Sequence, residues 1–312
     1  MQTFLEGTAQ IEFFDVSKRF RVGPMRSKVA VRELSLAVLQ GSVAGLLGPN
    51  GSGKSTTLKM LMGFLRPSAG DILVGGGRPW ECRSRVGVGY LPENPRFQRF
   101  LTASQALVYL GRLQGMSGAA LSSRVEEVLR LVGLERAANE RVQGFSKGMT
   151  QRLAFAQALI ARPSILILDE PMSGLDPLGR IEMRALVGRI RAETPQLTVL
   201  LSTHLLQDVE SLCTEVFFLR DGALQFSSGV SDLLSAAGQS FEIRTIPDGS
   251  GRCETIIADG PSGLERELAR LRAAGREIGA VSSRRPLLEE ALFGGGAIPP
   301  GLGAVSRRES AA

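Results

Sequence analysis

Continuous apolar runs and helix-spaced apolar residues alternate along most of this chain. The continuous runs predict buried strands over Val43–Leu47, Ile165–Asp169 and residues 198–202. Residues 54–64 and residues 178–192 have the apolar spacing of helices. Because strands and helices alternate in this order, the pattern predicts an α/β fold with a mostly parallel core sheet.

Residues 95–162 are predicted to form a helical insertion into this order. Thr102 and Gln105 have the spacing of a capping box at the start of one helix. Further along, one helical face is apolar, formed by Val125, Val128, Leu129 and Val132. Ser146 is placed to cap the next helix, which we expect to end near Pro163.

The pattern changes again after residue 238. Three short strand-like stretches follow, and between the last two lies a helix with one apolar face, formed by Leu264, Leu268 and Leu271. We therefore expect a main domain over residues 8–238, a small α+β accessory domain over residues 239–293, and a disordered tail over residues 294–312.

Composition narrows the class of protein. No stretch of the 312 residues approaches the roughly 18–20 consecutive apolar residues of a membrane span, and the N-terminal residues do not form a signal peptide. The 3 cysteines lack a CxxC pair, which argues against a zinc site and for a reducing compartment. The net charge of +6 is spread along the chain and aromatics make up only 5%, so we expect no nucleic-acid partner.

A glycine-rich segment, GPNGSGKST at residues 48–56, joins the first buried strand to the first helix. In this context the glycines turn backbone N–H groups onto phosphates, the lysine reaches the outer phosphates, and the hydroxyl holds Mg²⁺. The alternative, a surface glycine turn, is disfavoured by the flanking strand and helix. The predicted nucleotide-binding residues are Gly48, Pro49, Asn50, Gly51, Ser52, Gly53, Lys54, Ser55 and Thr56.

A second motif, ILILDE at residues 165–170, ends a buried strand in two carboxylates. Asp169 at the strand tip can orient the shell of Mg²⁺, and Glu170 can polarise an attacking water. Guanine-binding relatives carry an Asn-Lys-x-Asp element, but asparagine occurs only at positions 50, 94 and 139. That element is therefore absent, whereas kinases with the same phosphate loop stay possible at this point.

FSKGMTQRL at residues 145–153 resembles the signature motif of the ATP-binding subunits of ABC transporters, and the resemblance covers nearly all of residues 11–230. Four more segments are similar to motifs of that family: KRF at 18–20 to the aromatic A-loop, GYLPEN at 89–94 to the Q-loop, SGLD at 173–176 to the D-loop, and STH at 202–204 to the switch histidine. The resemblance implies the ABC ATPase fold, including an antiparallel N-terminal β-subdomain.

The resemblance also implies roles for residues around the bound ATP. Lys54, Glu170 and His204 are then catalytic, while Phe20 stacks on adenine. The metal ligands for Mg²⁺ are Ser55, Asp169 and Glu93. Asp176 of the D-loop orders a dimer interface.

The signature residues Ser146, Lys147, Gly148 and Met149 are implied to act in trans, on the γ-phosphate bound to a second subunit. The N-terminus of a helix suits an anion. The helix that Ser146 caps is nevertheless a poor fit for phosphates bound by the glycine loop of the same chain. Lys147 replaces the usual glycine, Met149 the usual glutamine, and Glu93 the usual glutamine of the Q-loop. These variants are similar to those of bacterial exporter ATPases of the drug and sodium extrusion type. The stretch at 286–293 also resembles the element that ends the C-terminal extension of those ATPases. The alternative for this stretch is an ordinary amphipathic helix.

The resulting expectation is an ATPase that energises a separate transmembrane permease, with export as the direction. A second ATPase chain, identical or different, completes each ATP site. The protein is then cytoplasmic and reaches the inner face of the membrane only through the permease. Two alternatives are a soluble ABC ATPase acting on ribosomes or DNA, and a nucleotide-gated regulatory module. The single phosphate loop, with no long coiled coil, disfavours the first, and the full catalytic set disfavours the second.

Overall fold

The computed structural model of the protein describes residues 8–23, 27–236, 240–246 and 253–284. These residues divide into two compact units between Ser227 and Ser228. The division precedes the helix Val230–Ala236, whereas the boundary predicted from sequence, at residues 238–239, follows it. The predicted tail over 294–312 and the segment 286–293 lie outside the described residues.

Up to the end of β9, the strand that crosses the division at Ser227, the strands and helices have the following order. They are β1 (Ala9–Arg21), β2 (Ser27–Leu39), β3 (Val43–Leu47), α1 (Lys54–Leu61), β4 (Ala69–Val74), β5 (Val88–Leu91), α2 (Ala103–Leu113), α3 (Gly118–Leu131), α4 (Lys147–Leu159), β6 (Ile165–Asp169), α5 (Pro177–Glu193), β7 (Thr198–Thr203), α6 (Leu206–Leu212), β8 (Glu215–Arg220) and β9 (Ala223–Gly229).

The core sheet has the strand order β5-β6-β7-β3-β8-β9. Its pairs from β5 to β8 are parallel, which confirms the predicted sheet type. Every residue of β3, β6 and β7 is buried, as expected for parallel strands covered on both faces. β8 and β9 are joined by Asp221 and Gly222, whose φ angles of 51° and 79° suit a two-residue hairpin turn.

An antiparallel sheet, ordered β2-β1-β4, packs against the core sheet and α1. One buried cluster contains residues from both sheets and from α1. It includes Phe13, Leu34 and Ile72 of the antiparallel sheet, Leu58 of α1, and Leu46 and Ile167 of the core sheet. This arrangement matters for the site because it fixes β1 and β2 relative to β3, so that residues of β1 and β2 line the same cleft as the loop that follows β3.

The helical insertion consists of α2, α3 and α4. The predicted capping box is confirmed: the Gln105 N–H donates to Thr102 Oγ1 over 3.2 Å, and the Thr102 N–H donates to Gln105 Oε1 over 3.0 Å. The first helix was predicted over residues 54–64, but α1 ends at Leu61. It ends early because Gly63 adopts a left-handed φ of 70° and the Phe64 N–H turns back to the Lys59 carbonyl.

The second unit contains α7 (Val230–Ala236), β10 (Ser240–Thr245), β11 (Thr255–Asp259), α8 (Gly260–Ala273) and β12 (Ile278–Arg284). Its antiparallel sheet has the order β11-β10-β12, and Leu271 of α8 packs with Ile243 and Ala258. These elements match the α+β pattern expected from the sequence. In the described parts of both units, no helix is both long and apolar enough to span a bilayer.

Candidate functional site

The glycine loop lies between buried β3 and the start of α1. Gly53 caps α1 with a φ of 106°, which side-chain-bearing residues rarely adopt. At Gly48 a Cβ atom would lie 2.2 Å from the Leu219 carbonyl oxygen, so the loop can pass β8 only with a glycine there. Lys54, the first residue of α1, is only 5% exposed, and its Nζ donates to the Gly48 carbonyl over 2.7 Å. The lysine therefore lies along the inside of the loop.

Asp169 ends β6 at the edge of the sheet beside this loop and is 3% exposed. Ser202 Oγ donates to Asp169 Oδ1 over 2.8 Å, and Ser55 Oγ lies 3.3 Å from the same oxygen. Burial raises the pKa of the Asp169 carboxyl, and the charges of Glu93 and Glu170 add to the shift, while the Ser202 hydrogen bond opposes it. A cation beside Ser55 and Asp169 would offset this accumulation of negative charge.

Glu170 has a left-handed backbone, with a φ of 46° that is uncommon for a residue other than glycine. Its N–H donates to Ser202 Oγ over 3.0 Å, which holds the backbone in place. The carboxylate lies between two nitrogen groups: Oε1 is 3.4 Å from Lys54 Nζ, and Oε2 is 2.9 Å from His204 Nδ1. Lys54, Glu170 and His204 thus form one continuous set of contacts beside the glycine loop.

A cleft of about 350 Å³ opens in front of these groups. We call it the glycine-loop cleft; the residues that line it are Phe20, Lys28, Ala30, Asn50, Gly51, Gly53, Lys54, Ser55, Thr56, Glu93, Glu170, Ser173 and His204. It therefore brings together the A-loop aromatic, the Q-loop carboxylate, the glycine loop and the switch histidine. Of the predicted phosphate-loop residues, Gly48, Pro49 and Ser52 are not part of this lining, and Asp169 lies behind Ser55.

Sequence reasoning missed several residues of this region. Lys28 and Ala30 line the cleft because β2 pairs with β1, with Lys28 opposite Phe20 in the register. Ser202 was predicted to lie in a strand and in the STH segment but without a role of its own, yet it pairs with Asp169 in the sheet and hydrogen-bonds it. Their proximity depends on sheet register, and the one sequence signal among them was the position of Ser202 near the end of a buried strand.

The signature residues occupy a different place. Ser146 caps α4, and its Oγ accepts from the Met149 N–H over 3.2 Å, as the sequence predicted. Neither this residue nor Lys147, Gly148 or Met149 is among the described residues that line the glycine-loop cleft. Ser146 and Lys147 are exposed. Lys147 extends along Gly174 of the D-loop segment, where a Cβ atom would overlap its Nζ.

Asp176 likewise lies away from the cleft lining. It caps α5, where its Oδ1 accepts from the Gly179 N–H over 3.2 Å, and Pro177 follows as the first helical residue. In this chain its observed contact is therefore that of a helix cap. Asp176 of the D-loop and Ser146 of the signature share a property. Each caps a helix, and neither side chain lines the cleft.

The parallel sheet, the strand–glycine loop–helix unit and the acidic end of β6 define a P-loop nucleoside triphosphatase. The ABC transporter family matches residues 31–173. The ABC transporter ATP-binding protein YxlF of Bacillus subtilis is 40% identical over 208 residues, which are 67% of this chain and 68% of YxlF. The Nod factor export ATP-binding protein I of Burkholderia lata is 39% identical over 222 residues, covering 69% of each.

The fold gives the same result. The solved structure of an ATP-binding subunit of an ABC transporter superposes with a TM-score of 0.64 at 30% identity and covers 73% of this chain and 92% of that one. The chain belongs to the ATP-binding subunits of ABC transporters. It is an ABC ATPase, and the resemblance drawn from the sequence motifs is confirmed.

Proposed function

We propose that this protein hydrolyses ATP in a pair of ATPase chains and thereby drives a separate transmembrane permease. The observation that carries the proposal is the contrast between two anion-binding places in one chain. Lys54, Glu170 and His204 converge on the glycine-loop cleft, whereas the capped start of α4 lies apart from it. A second chain that presents its own α4 to this cleft would complete the site.

At the phosphate end, Lys54 is assigned to the outer phosphates, and Glu170 to the water that attacks the γ-phosphorus. Glu170 suits this role because Lys54 and His204 fix both of its oxygens in the cleft. His204 is assigned to the γ-phosphoryl group, with its imidazole linked to Glu170. Negative charge that spreads over the transferred group is then met by Lys54, His204 and the partner's signature residues.

Mg²⁺ is the metal that the donors of this site fit. The Ser55 hydroxyl and Asp169 carboxylate are hard oxygen donors near each other, and Glu93 lines the same cleft. In the described part of the chain there is no cluster of three or more His, Cys, Asp or Glu side chains suited to a metal. Mg²⁺ takes one or two carboxylates and fills its shell with water and phosphates. When bound, it supplies positive charge to the phosphates.

At the base end, Phe20 is assigned to stacking on adenine. Lys18 Nζ lies 5.3 Å from the centre of the Phe20 ring and donates to the Arg66 carbonyl over 2.6 Å. This cation–π contact holds the ring on the side of Lys18 and leaves its remaining surface for a base.

The signature residues are assigned to the γ-phosphate of the partner's ATP. The Ser146 hydroxyl and the Gly148 N–H lie at the N-terminus of α4, which carries partial positive charge. Lys147 adds a formal charge, and Met149 continues the first turn. Asp176 is assigned to the same interface, where the D-loop orders the contact between the chains.

The transport direction is proposed to be export. The family variants at Lys147, Met149 and Glu93 support it, as does the similarity to a protein named for Nod factor export. The protein would then work in the cytoplasm, at the inner face of the membrane, with the permease as its only link to the bilayer. No nucleic-acid partner is proposed, because basic residues are spread along the chain.

The test of the proposal is Glu170→Gln. We expect ATP to bind with near wild-type affinity, turnover to fall by about 100-fold or more, and two chains to associate when Mg-ATP is present. ATPase assay, nucleotide titration and light scattering measure these three quantities, and Mg-ADP is the control that should leave the variant monomeric. Full turnover would remove the role of Glu170, and a strictly monomeric variant with saturating Mg-ATP, alone and beside its permease, would overturn the paired mechanism.

The permease itself is tested by purification from detergent-solubilised membranes. We expect a membrane-spanning protein to copurify with the chain, more strongly for Glu170→Gln with Mg-ATP than with Mg-ADP. Recovery of ribosomes or DNA in its place would support the soluble alternative.

A further inference from the structure

The backbone on both sides of His204 is held by a buried polar network. We call residues 203–208, between the end of β7 and the first turns of α6, the histidine turn. Thr203 Oγ1 accepts from the Leu205 N–H over 3.1 Å and donates to Asp208 Oδ2 over 2.9 Å. The Asp208 N–H in turn donates to the Leu205 carbonyl over 3.2 Å. Both chain neighbours of His204 are thus fixed to Asp208.

Asp208 is 1% exposed, which is unusual for a carboxylate that does not line the cleft. Its second oxygen, Oδ1, accepts from Arg184 Nε over 2.8 Å, and the Arg184 side chain is 20% exposed. A buried charge is retained only when it is paired and hydrogen-bonded, and Asp208 has a partner on each oxygen. The pair crosses from α6 to α5, and these two helices pack against each other.

Arg184 lies on the helix that Asp176 begins. One turn before it on α5, Arg180 Nε donates to the Leu175 carbonyl over 3.2 Å, so the same helix face also holds the D-loop backbone. The histidine turn and the D-loop are therefore attached to one helix, α5. His204 itself is 42% exposed and is held towards Glu170 by one contact of 2.9 Å, so its placement depends on the backbone beneath it.

We propose that Asp208 is a positioning residue for His204, acting through Thr203, and that Arg184 attaches this position to α5 and the D-loop. The inference rests on the proposed role of His204 in hydrolysis. Asp208 and Arg184 do not touch the cleft, so they act on turnover through the histidine and leave the phosphate loop unchanged. Misplacement of a reacting group by about 1 Å can slow catalysis by roughly 100-fold.

The first experiment is Asp208→Asn in the 312-residue chain. The amide keeps the size of the side chain, but it removes the charge paired with Arg184, and its NH2 group cannot accept the hydrogen bond that a carboxylate oxygen accepts from Thr203 or from Arg184. We expect kcat to fall by about 10- to 100-fold while the affinity for ATP, measured by titration, stays within about twofold. An unchanged kcat in a folded variant would overturn the inference.

A double-mutant cycle with His204→Ala separates positioning from general damage. If Asp208 acts through His204, adding Asp208→Asn to His204→Ala causes no further loss of turnover. If turnover in the double variant falls by the product of the two single losses, Asp208 works independently of the histidine, and the inference is overturned. If His204→Ala alone keeps wild-type turnover, the proposed role of His204 fails first, which distinguishes the two proposals.

Because Asp208→Asn could unfold the chain, Thr203 provides a second route. Thr203→Val removes the hydroxyl between Leu205 and Asp208 at nearly constant size, and Thr203→Ser keeps it. We expect Thr203→Val to lower kcat by about tenfold and Thr203→Ser to retain turnover. Equal turnover in the two variants would contradict the role of the hydroxyl.

The link to α5 is tested with a matched arginine pair. Arg184→Met breaks the contact with Asp208, whereas Arg189→Met removes an exposed arginine of the same helix that has no part in the network. We expect only Arg184→Met to lower kcat, and Arg184→Lys to restore part of it. Equal losses for Arg184→Met and Arg189→Met would overturn the proposed attachment.

Discussion

The glycine-loop cleft and the N-terminus of α4 both offer groups that suit a phosphate, yet they are built differently. In the cleft, Lys54, Glu170 and His204 contact one another, and Lys54 is almost fully buried. At α4, Ser146 and Lys147 are exposed, and the Ser146 hydroxyl accepts from the Met149 N–H of its own helix. In the first place the charged groups contact one another, while in the second the groups are exposed at the start of a helix.

The difference indicates which changes should affect one chain and which should affect a pair. A defect in the cleft should alter ATP binding by a single chain, because the binding groups are all present there. A defect at α4 should spare that binding and appear only when two chains meet.

The largest effect is expected for Lys54→Ala. The substitution removes the cation that lies inside the glycine loop and leaves the buried side of Glu170 without its partner. We expect turnover to fall by about 1,000-fold and ATP binding by a single chain to weaken at least tenfold, since the lysine meets the outer phosphates. A phosphate-release assay and a nucleotide titration measure the two losses. Intact ATP binding would show that the cleft does not hold the nucleotide as proposed.

Ser146→Asp should have the next largest effect and should separate capping from phosphate binding. Aspartate caps a helix as well as serine does, so Tm should change by only about 1–2 °C. It also places a negative charge where the partner's γ-phosphate would lie, so turnover should fall by about 100-fold. A single chain should still bind ATP normally. Loss of ATP binding in parallel with turnover would break the division between the two places.

A mixture of Lys54→Ala and Ser146→Asp chains tests whether each ATP site is shared between two chains. A mixed pair has one composite site with both defects and one with neither, so activity should return when the two inactive preparations are combined. With random pairing of identical partners, recovery should approach about a quarter of wild-type turnover. No recovery in a mixture that demonstrably forms mixed pairs would contradict sites shared between chains.

The smallest effect is expected for Phe20→Ala, at the base end of the cleft. Loss of stacking should raise KM for ATP by about tenfold and leave kcat nearly unchanged, because the base takes no part in the chemistry. Phe20→Tyr is the control and should keep the wild-type KM. A fall in kcat with unchanged KM would instead assign Phe20 to the fold of the antiparallel sheet.

Sequence alone predicted the elements whose burial is complete and whose chemistry is local. The bounds of β3 and β6 agree with the prediction because both faces are covered and the apolar run is unbroken. The glycine loop, the acidic end of β6 and the Ser146 cap were found for the same reason. Each is a contiguous motif whose residues act together.

What the sequence could not provide was register and tertiary contact. Ser202 and Asp169 are far apart in the chain and meet only because β6 and β7 are parallel neighbours. Lys28 reaches the cleft only through its pairing with Phe20. The early end of α1 depended on the left-handed φ of Gly63, a conformation that the apolar spacing does not encode. Asp208 resembled an ordinary polar residue on a helix until its burial was known.

The placement of Lys147 along Gly174 has a consequence for protein engineering. Any side chain at position 174 must displace the lysine head, and the left-handed φ of 66° disfavours most replacements in addition. The two positions are therefore epistatic, although they are distant in sequence and belong to different motifs. A library that randomises position 174 alone will also select among orientations of Lys147, so the pair is the proper unit of variation.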